Sequence, residues 1–210
     1  MMFKERLFYW LETVKPIPLR DELYQNTSLW TKTEKAKELE ISVICYFFRE
    51  QVRFLYQENL SYIMEVTEKA SEVVGVNSFH IEPIILWANG LDIIATESLF
   101  GELGSAIQDD QFFYGERNKE KEIMNSFGKI NGLAEINLLG NSPQESWQKG
   151  YYKDVSDHCQ RMISLLYHLY RKFKMQELIN PITKEEIDFT YYNSFTEMDS
   201  CWAQHEAGWA

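Results

Sequence analysis

Apolar side chains recur at intervals of three and four residues along most of the chain, the spacing that lines one face of a helix. Phe3, Leu7, Trp10, Leu11 and Val14 predict a first helix, closed by Lys15-Pro16-Ile17-Pro18. After an irregular stretch over 16–30, Leu39, Val43, Tyr46, Phe47 and Phe54 predict a long helix from about Thr33 to beyond Tyr56. Another is expected from Ser61 to near Gly75. Pro83 opens the next, with Ile84, Trp87, Leu91, Ile94 and Leu99 as its stripe and Gly101 and Gly104 at its end. A further helix over 117–139 carries Ile123, Phe127, Ile130, Ala134 and Leu138. The longest run begins at Pro143, breaks at Gly150 and continues to Met175, with Val155, Cys159, Met162, Leu166, Leu169 and Phe173 facing the core. One or two short helices are expected after Pro181.

Helix start signals agree with this pattern. Thr31 precedes Glu34, Ser142 precedes Glu145, Thr183 precedes Glu186, and Ser194 precedes Glu197. In each pair the hydroxyl can accept from a free backbone N–H while the carboxylate reaches back to the cap residue. Pro143 suits the first helical position, where its missing N–H is not needed. Gly128 and Gly132, four apart, would let two helices approach closely. Alternation of period two is confined to a minor strand near 187–192, and no fixed-period repeat occurs. The expectation is an all-α fold: an irregular multi-helix bundle forming a single domain over 1–210, with an acidic loop at about 101–116 and an acidic C-terminal segment over 176–210.

A chain of 210 residues with 45% apolar and 15% aromatic content has ample material for a core without disulfides or metal. Cys45, Cys159 and Cys201 are widely spaced and odd in number, which fits reduced thiols in the cytoplasm. No apolar segment of signal-peptide type follows the first residues, and no apolar run is long enough to span a bilayer.

Catalytic and metal motifs fail on residue type. A di-iron carboxylate bundle needs Glu-x-x-His on two helices, yet Asn77, Val155, Leu165 and Trp202 stand three before the four histidines. Cys201 and His205 supply two ligands where a zinc site needs four. Cys159 and His158 diverge by about 100° around a helix and so do not form a nucleophile–base pair. No phosphate loop, dinucleotide fingerprint or nucleophile elbow is present. No catalytic residue, metal or cofactor is therefore assigned. Asp154 and His158, one turn apart, are the polar groups that an aromatic-lined cavity between helices would offer, with Trp87, Trp147, Tyr151, Tyr152 and Tyr167 as lining.

Charge adds the strongest functional signal. The net charge is −11, and two tracts, 88–116 and 176–210, each carry −6, leaving +1 on the remainder. Both tracts hold aromatic residues, and rings within a field of one sign suit a protein interface. Asp109, Asp110, Phe112, Phe113, Tyr114, Glu185, Glu186, Asp188, Tyr191 and Tyr192 are the candidate contact residues. The expected partner is another protein with a basic surface, the concrete form being an inhibitor or immunity-type protein that covers a toxin. The same potential repels phosphates and so opposes direct binding of nucleic acid. The alternative is an enzyme or small-ligand binder using the inter-helix cavity. Self-association is left open.

Overall fold

The computed structural model describes residues 5–16, 36–76, 81–99, 103, 117–133 and 141–189. Its centre is a five-stranded mixed sheet, so the protein is α/β and not an all-α bundle. The strands are β1 (Arg6–Thr13), β2 (Ile41–Phe48), β3 (Gln51–Tyr56), β4 (Glu72–Gly75) and β5 (Glu97–Ser98), in the spatial order β3-β2-β1-β4-β5. β1 pairs antiparallel with β2, β2 antiparallel with β3, β1 parallel with β4, and β4 parallel with β5. The described helices are α1 (Tyr62–Thr67), α2 (Ile81–Ala88), α3 (Arg117–Ile130), α4 (Pro143–Gln148) and α5 (Tyr152–Lys174).

The misleading element is β1. Its Leu7-Phe8-Tyr9-Trp10-Leu11 run is buried throughout because helices cover both faces of the sheet. Phe8 and Trp10 join a core with Met124 and Phe127 of α3 and most of the α5 stripe. Leu7, Tyr9 and Leu11 join a second core with Ile63 and Val66 of α1 and Ile85 and Leu86 of α2. A strand buried on both sides loses its alternation, and a short apolar run then satisfies the helical spacing equally well. The same holds for Ile41–Tyr46 of β2, buried at every position.

The expected long helix from Thr33 is instead a β2–β3 hairpin. Its two-residue turn is Arg49-Glu50, both at positive φ (50° and 65°). Such turns normally announce themselves through Asn-Gly or Asp-Gly, because those residues tolerate the left-handed region. Here Arg49 lies 5.0 Å over the Phe48 ring, and neither turn residue carries the usual signal.

Other boundaries shift for related reasons. The segment expected to be helical from Ser61 stops after six residues and yields to β4. α2 ends at Ala88 and buries Ile85 and Leu86; of the predicted stripe Leu91 and Leu99 are buried beyond the helix, whereas Trp87 is 57% and Ile94 79% exposed. Thr183 and Glu186 start no helix: they lie in a turn closed by a lone bridge between Ile179 and Glu186, and Ile187–Phe189 form no strand. The boxes at Thr31 and Ser194 lie outside the described residues.

The helices α4 and α5 match expectation closely, whereas α3 ends at Ile130, short of the expected 139. Ser142 Oγ accepts from Glu145 N, Ser142 N donates to Glu145 Oε2, and Pro143 occupies the first turn of α4. All six predicted α5 core residues are buried. Gly128 is where α3 meets α5: a Cβ there would stand 2.8 Å from Leu165 Cδ1. Gly132 (φ 69°) instead serves the turn after α3. Among the described residues no helix is long and apolar enough to cross a membrane.

The hairpin turn supplies a test. Replacing Arg49-Glu50 by Asn-Gly relieves two left-handed positions and should stabilise the fold by about 1 kcal/mol. Urea unfolding of R49N/E50G checks it; an unchanged or lower midpoint would show that Arg49 on Phe48 outweighs the backbone strain.

Candidate functional site

Glu12 lies on the same face of β1 as Phe8 and Trp10, at the carboxyl end of the strand. It is a carboxylate with only 1% of its surface exposed. Burying such a charge costs several kcal/mol unless donors surround it. They come from four elements. Trp10 Nε1 donates to Oε1 at 2.9 Å, and Lys121 Nζ of α3 lies 2.9 Å from the same oxygen. His158 Nε2 of α5 is 3.2 Å away. Gln144 Nε2 of α4 donates to Oε2 at 3.1 Å. Lys121 also sits 5.9 Å over the Trp10 ring. Lys121 and His158 are themselves 7% and 8% exposed, and Gln144 is half-buried at the edge of the cluster.

Strand order fixes the place. The chain runs β1, β2, β3 to one side and then returns to the other side of β1 with β4 and β5. Crevices at the carboxyl ends of strands where that order turns are favoured ligand sites in open α/β sheets. Glu12 stands at such a point. Its neighbour on β1, Thr13, faces the opposite layer.

His158 differs from the other members. Nε2 is near Glu12 Oε1 but makes no hydrogen bond of acceptable angle among the described residues. The imidazole is thus held beside the carboxylate with a nitrogen directed into the cluster, able to give or take a proton.

Elsewhere, buried polar groups serve packing. Tyr170, fully buried on α5, donates to Glu97, and Lys174 Nζ lies 3.2 Å from the same carboxylate. Burial first, then that hydrogen bond, pushes the Tyr170 phenol well above its ordinary range. Arg6 pairs with Glu72 across β1 and β4 and lies 5.5 Å over the Tyr170 ring. This network sits at the amino ends of β1 and β4, away from Glu12. Burial pushes the Cys45 thiol up to about 12, which leaves it protonated and unreactive as a nucleophile near neutrality. Cys159 is buried in the same core.

The predicted site residues are distributed as follows. His158 is buried in the Glu12 cluster, while Asp154 is exposed on the outer side of α5. Glu185, Glu186 and Asp188 are exposed on the segment after α5. Asp109, Asp110, Phe112, Phe113, Tyr114, Tyr191 and Tyr192 lie outside the described residues. The proposed aromatic lining does not converge: Trp147 packs on Tyr152 at 4.7 Å and faces Tyr56, whereas Tyr167 packs on Phe8 and Phe47. A cleft of about 470 Å³, lined by residues such as Glu40, Gln57 and Asn89, contains none of the Glu12 cluster. Among the described residues no three His, Cys, Asp or Glu side chains converge as a metal site.

Sequence reading missed Glu12, Lys121 and Gln144. The available signal was a lone Glu ending an otherwise apolar run, which reads as a helix surface unless the run is known to be a central strand. No family model matches this chain, and no characterised protein matches it in sequence.

Removing Lys121 leaves Glu12 without its ammonium. Lys121→Met should cost about 3 kcal/mol, the penalty of breaking a buried pair. Lys153→Met, at an exposed position of α5, should stay within about 0.5 kcal/mol. Denaturant unfolding of both separates the cases; equal, small losses would mean that Lys121 does not compensate Glu12.

Proposed function

We propose that this protein binds a small polar molecule at the carboxyl end of β1, with Glu12, Lys121 and His158 as an acid–base set. The observation that supports this reading is the joint burial of carboxylate, ammonium, imidazole and indole N–H, with the half-buried Gln144 carboxamide beside them, at the turning point of the sheet. Stability alone does not call for it, since well-packed apolar residues usually serve a core as well as a buried ion pair. Polar groups gathered in this way, with one nitrogen not engaged in a good hydrogen bond, are characteristic of functional sites. Glu12 would orient the imidazole, Lys121 would offset the carboxylate charge, and His158 would exchange the proton.

The test is a thermal-shift screen of small molecules against the wild type and His158→Gln. A ligand that raises the wild-type Tm and loses most of that effect in the folded variant supports the reading. Ligand responses that are identical in the two proteins, or absent from the wild type across acidic, basic and neutral compounds, would overturn it.

A second reading, contact with a basic protein, draws on the segment after α5. Leu178, Ile187 and Phe189 bury it against the core, and Asn131 clasps both backbone groups of Ile179, at 2.8 and 3.0 Å. Glu177, Glu185, Glu186 and Asp188 are exposed on it beside Lys184. Acidic groups on an ordered segment need little further ordering to meet a basic surface, although Phe189 itself belongs to the core. With E185Q/E186Q/D188N as bait, capture of a basic protein from native lysate should fall markedly and lose its dependence on salt. Undiminished capture of the same protein would dismiss this reading.

A further inference from the structure

We propose that Asn89-Gly90 and Asn131-Gly132 are sites of spontaneous deamidation that the fold keeps unreactive, so that modification there is a permanent record of opening at two helix ends.

These are the two Asn-Gly pairs of the chain, and each follows directly on a helix, α2 ending at Ala88 and α3 at Ile130. Gly90 and Gly132 take φ 76° and 69°, the left-handed conformation that closes a helix. Gly90 N donates to Trp87 O at 2.9 Å, and Leu91 N to Leu86 O at 2.9 Å. Gly132 N donates to Lys129 O at 3.3 Å, and Leu133 N to Gly128 O at 2.8 Å. The two ends are thus closed in the same way.

The asparagines are also used alike. Asn89 Nδ2 donates to Ile85 O one turn back, at 2.8 Å, and to Leu39 O at 3.0 Å. Its Oδ1 accepts from Ile41 N at 3.3 Å. Asn131 Nδ2 donates to Phe127 O at 2.9 Å and to Ile179 O at 3.0 Å, while its Oδ1 accepts from Ile179 N at 2.8 Å. Each carboxamide fastens a passing backbone to the end of a helix. Asn89 holds the entry to β2, and Asn131 holds the segment after α5.

Glycine, having no side chain, leaves its backbone nitrogen open to the preceding asparagine, and asparagine is among the residues prone to chemical change. The glycine nitrogen attacks Cγ, and the new C–N bond closes a succinimide. The Cγ–Nδ2 bond breaks, and Nδ2 leaves as ammonia with the proton of the glycine amide. Water then opens either imide C–N bond to give aspartate or isoaspartate. In the folded protein both reacting groups are engaged: three hydrogen bonds fix each carboxamide, and each glycine N–H is bonded into its helix. Reaction therefore needs the helix end to open.

The product cannot restore the clasp. A carboxylate has no N–H for the two carbonyl oxygens that Nδ2 serves, and it sets a negative charge at the negative end of a helix. One opening event, if it lasts long enough for the chemistry, leaves the β2 entry or the segment after α5 unfastened thereafter.

The experiment incubates the full chain at pH 8.5 and 37 °C, in buffer and in denaturing urea, and follows both sites by peptide mass spectrometry. Both should convert in urea, and in buffer each should be slower by at least about tenfold, as expected of a reaction confined to an open state. Equal rates in the two conditions at either site would overturn the proposal. Asn89→Asp and Asn131→Asp, which carry the product in advance, should each melt about 5 °C below the wild type. A wild-type Tm in both would overturn the part given to the clasps. The rate comparison uses the unaltered chain, so it decides the matter even where an aspartate variant does not fold.

Discussion

The double-sided burial of β1 organises this protein. Five consecutive large apolar residues cannot be hidden by one layer, because alternate side chains point to opposite faces of a sheet. The fold answers with α1 and α2 on one face and α3, α4 and α5 on the other. Everything near Glu12 follows from that arrangement. A polar side chain two positions beyond Trp10 must enter the α3–α5 layer, where it can be tolerated only if those helices bring donors to it. The cluster is therefore both the place where the apolar strand ends and the place where three helices are aligned upon it.

Legibility in the sequence varied with how local the determinants were. α5 could be read almost residue by residue, since its stripe is amphipathic and its entry through Ser142, Pro143 and Gly150 uses side-chain and backbone rules that act within a few residues. The sheet could not. β1 and β2 owe their conformation to being covered on both faces, a property of the tertiary structure, and their apolar runs fit helical spacing as readily as extended chain. The β2–β3 turn added to the difficulty, because Arg49 and Glu50 take left-handed backbone angles without glycine or asparagine.

The site was legible in one residue. His158 stands out with Asp154 as a polar pair one turn apart on a helix. That spacing points to Asp154 as the partner of His158, whereas the fold supplies Glu12 from a strand 146 positions earlier. Pairings of that kind depend on topology, and a misassigned strand conceals them. The acidic tracts were visible in composition, and of their named residues Glu185, Glu186 and Asp188 are seen to be exposed.

The outer strand β3 has a consequence of its own. An unpaired sheet margin is a template on which a second chain can add a strand, and proteins guard such margins with charge. Here the margin bears Arg53, whose guanidinium donates to Gln51, and it begins at Gln51 directly after the Arg49-Glu50 turn. Arg53 is exposed on the strand, so two copies approaching margin to margin would bring like charges together there. Arg53 thus opposes the addition of a second copy along β3.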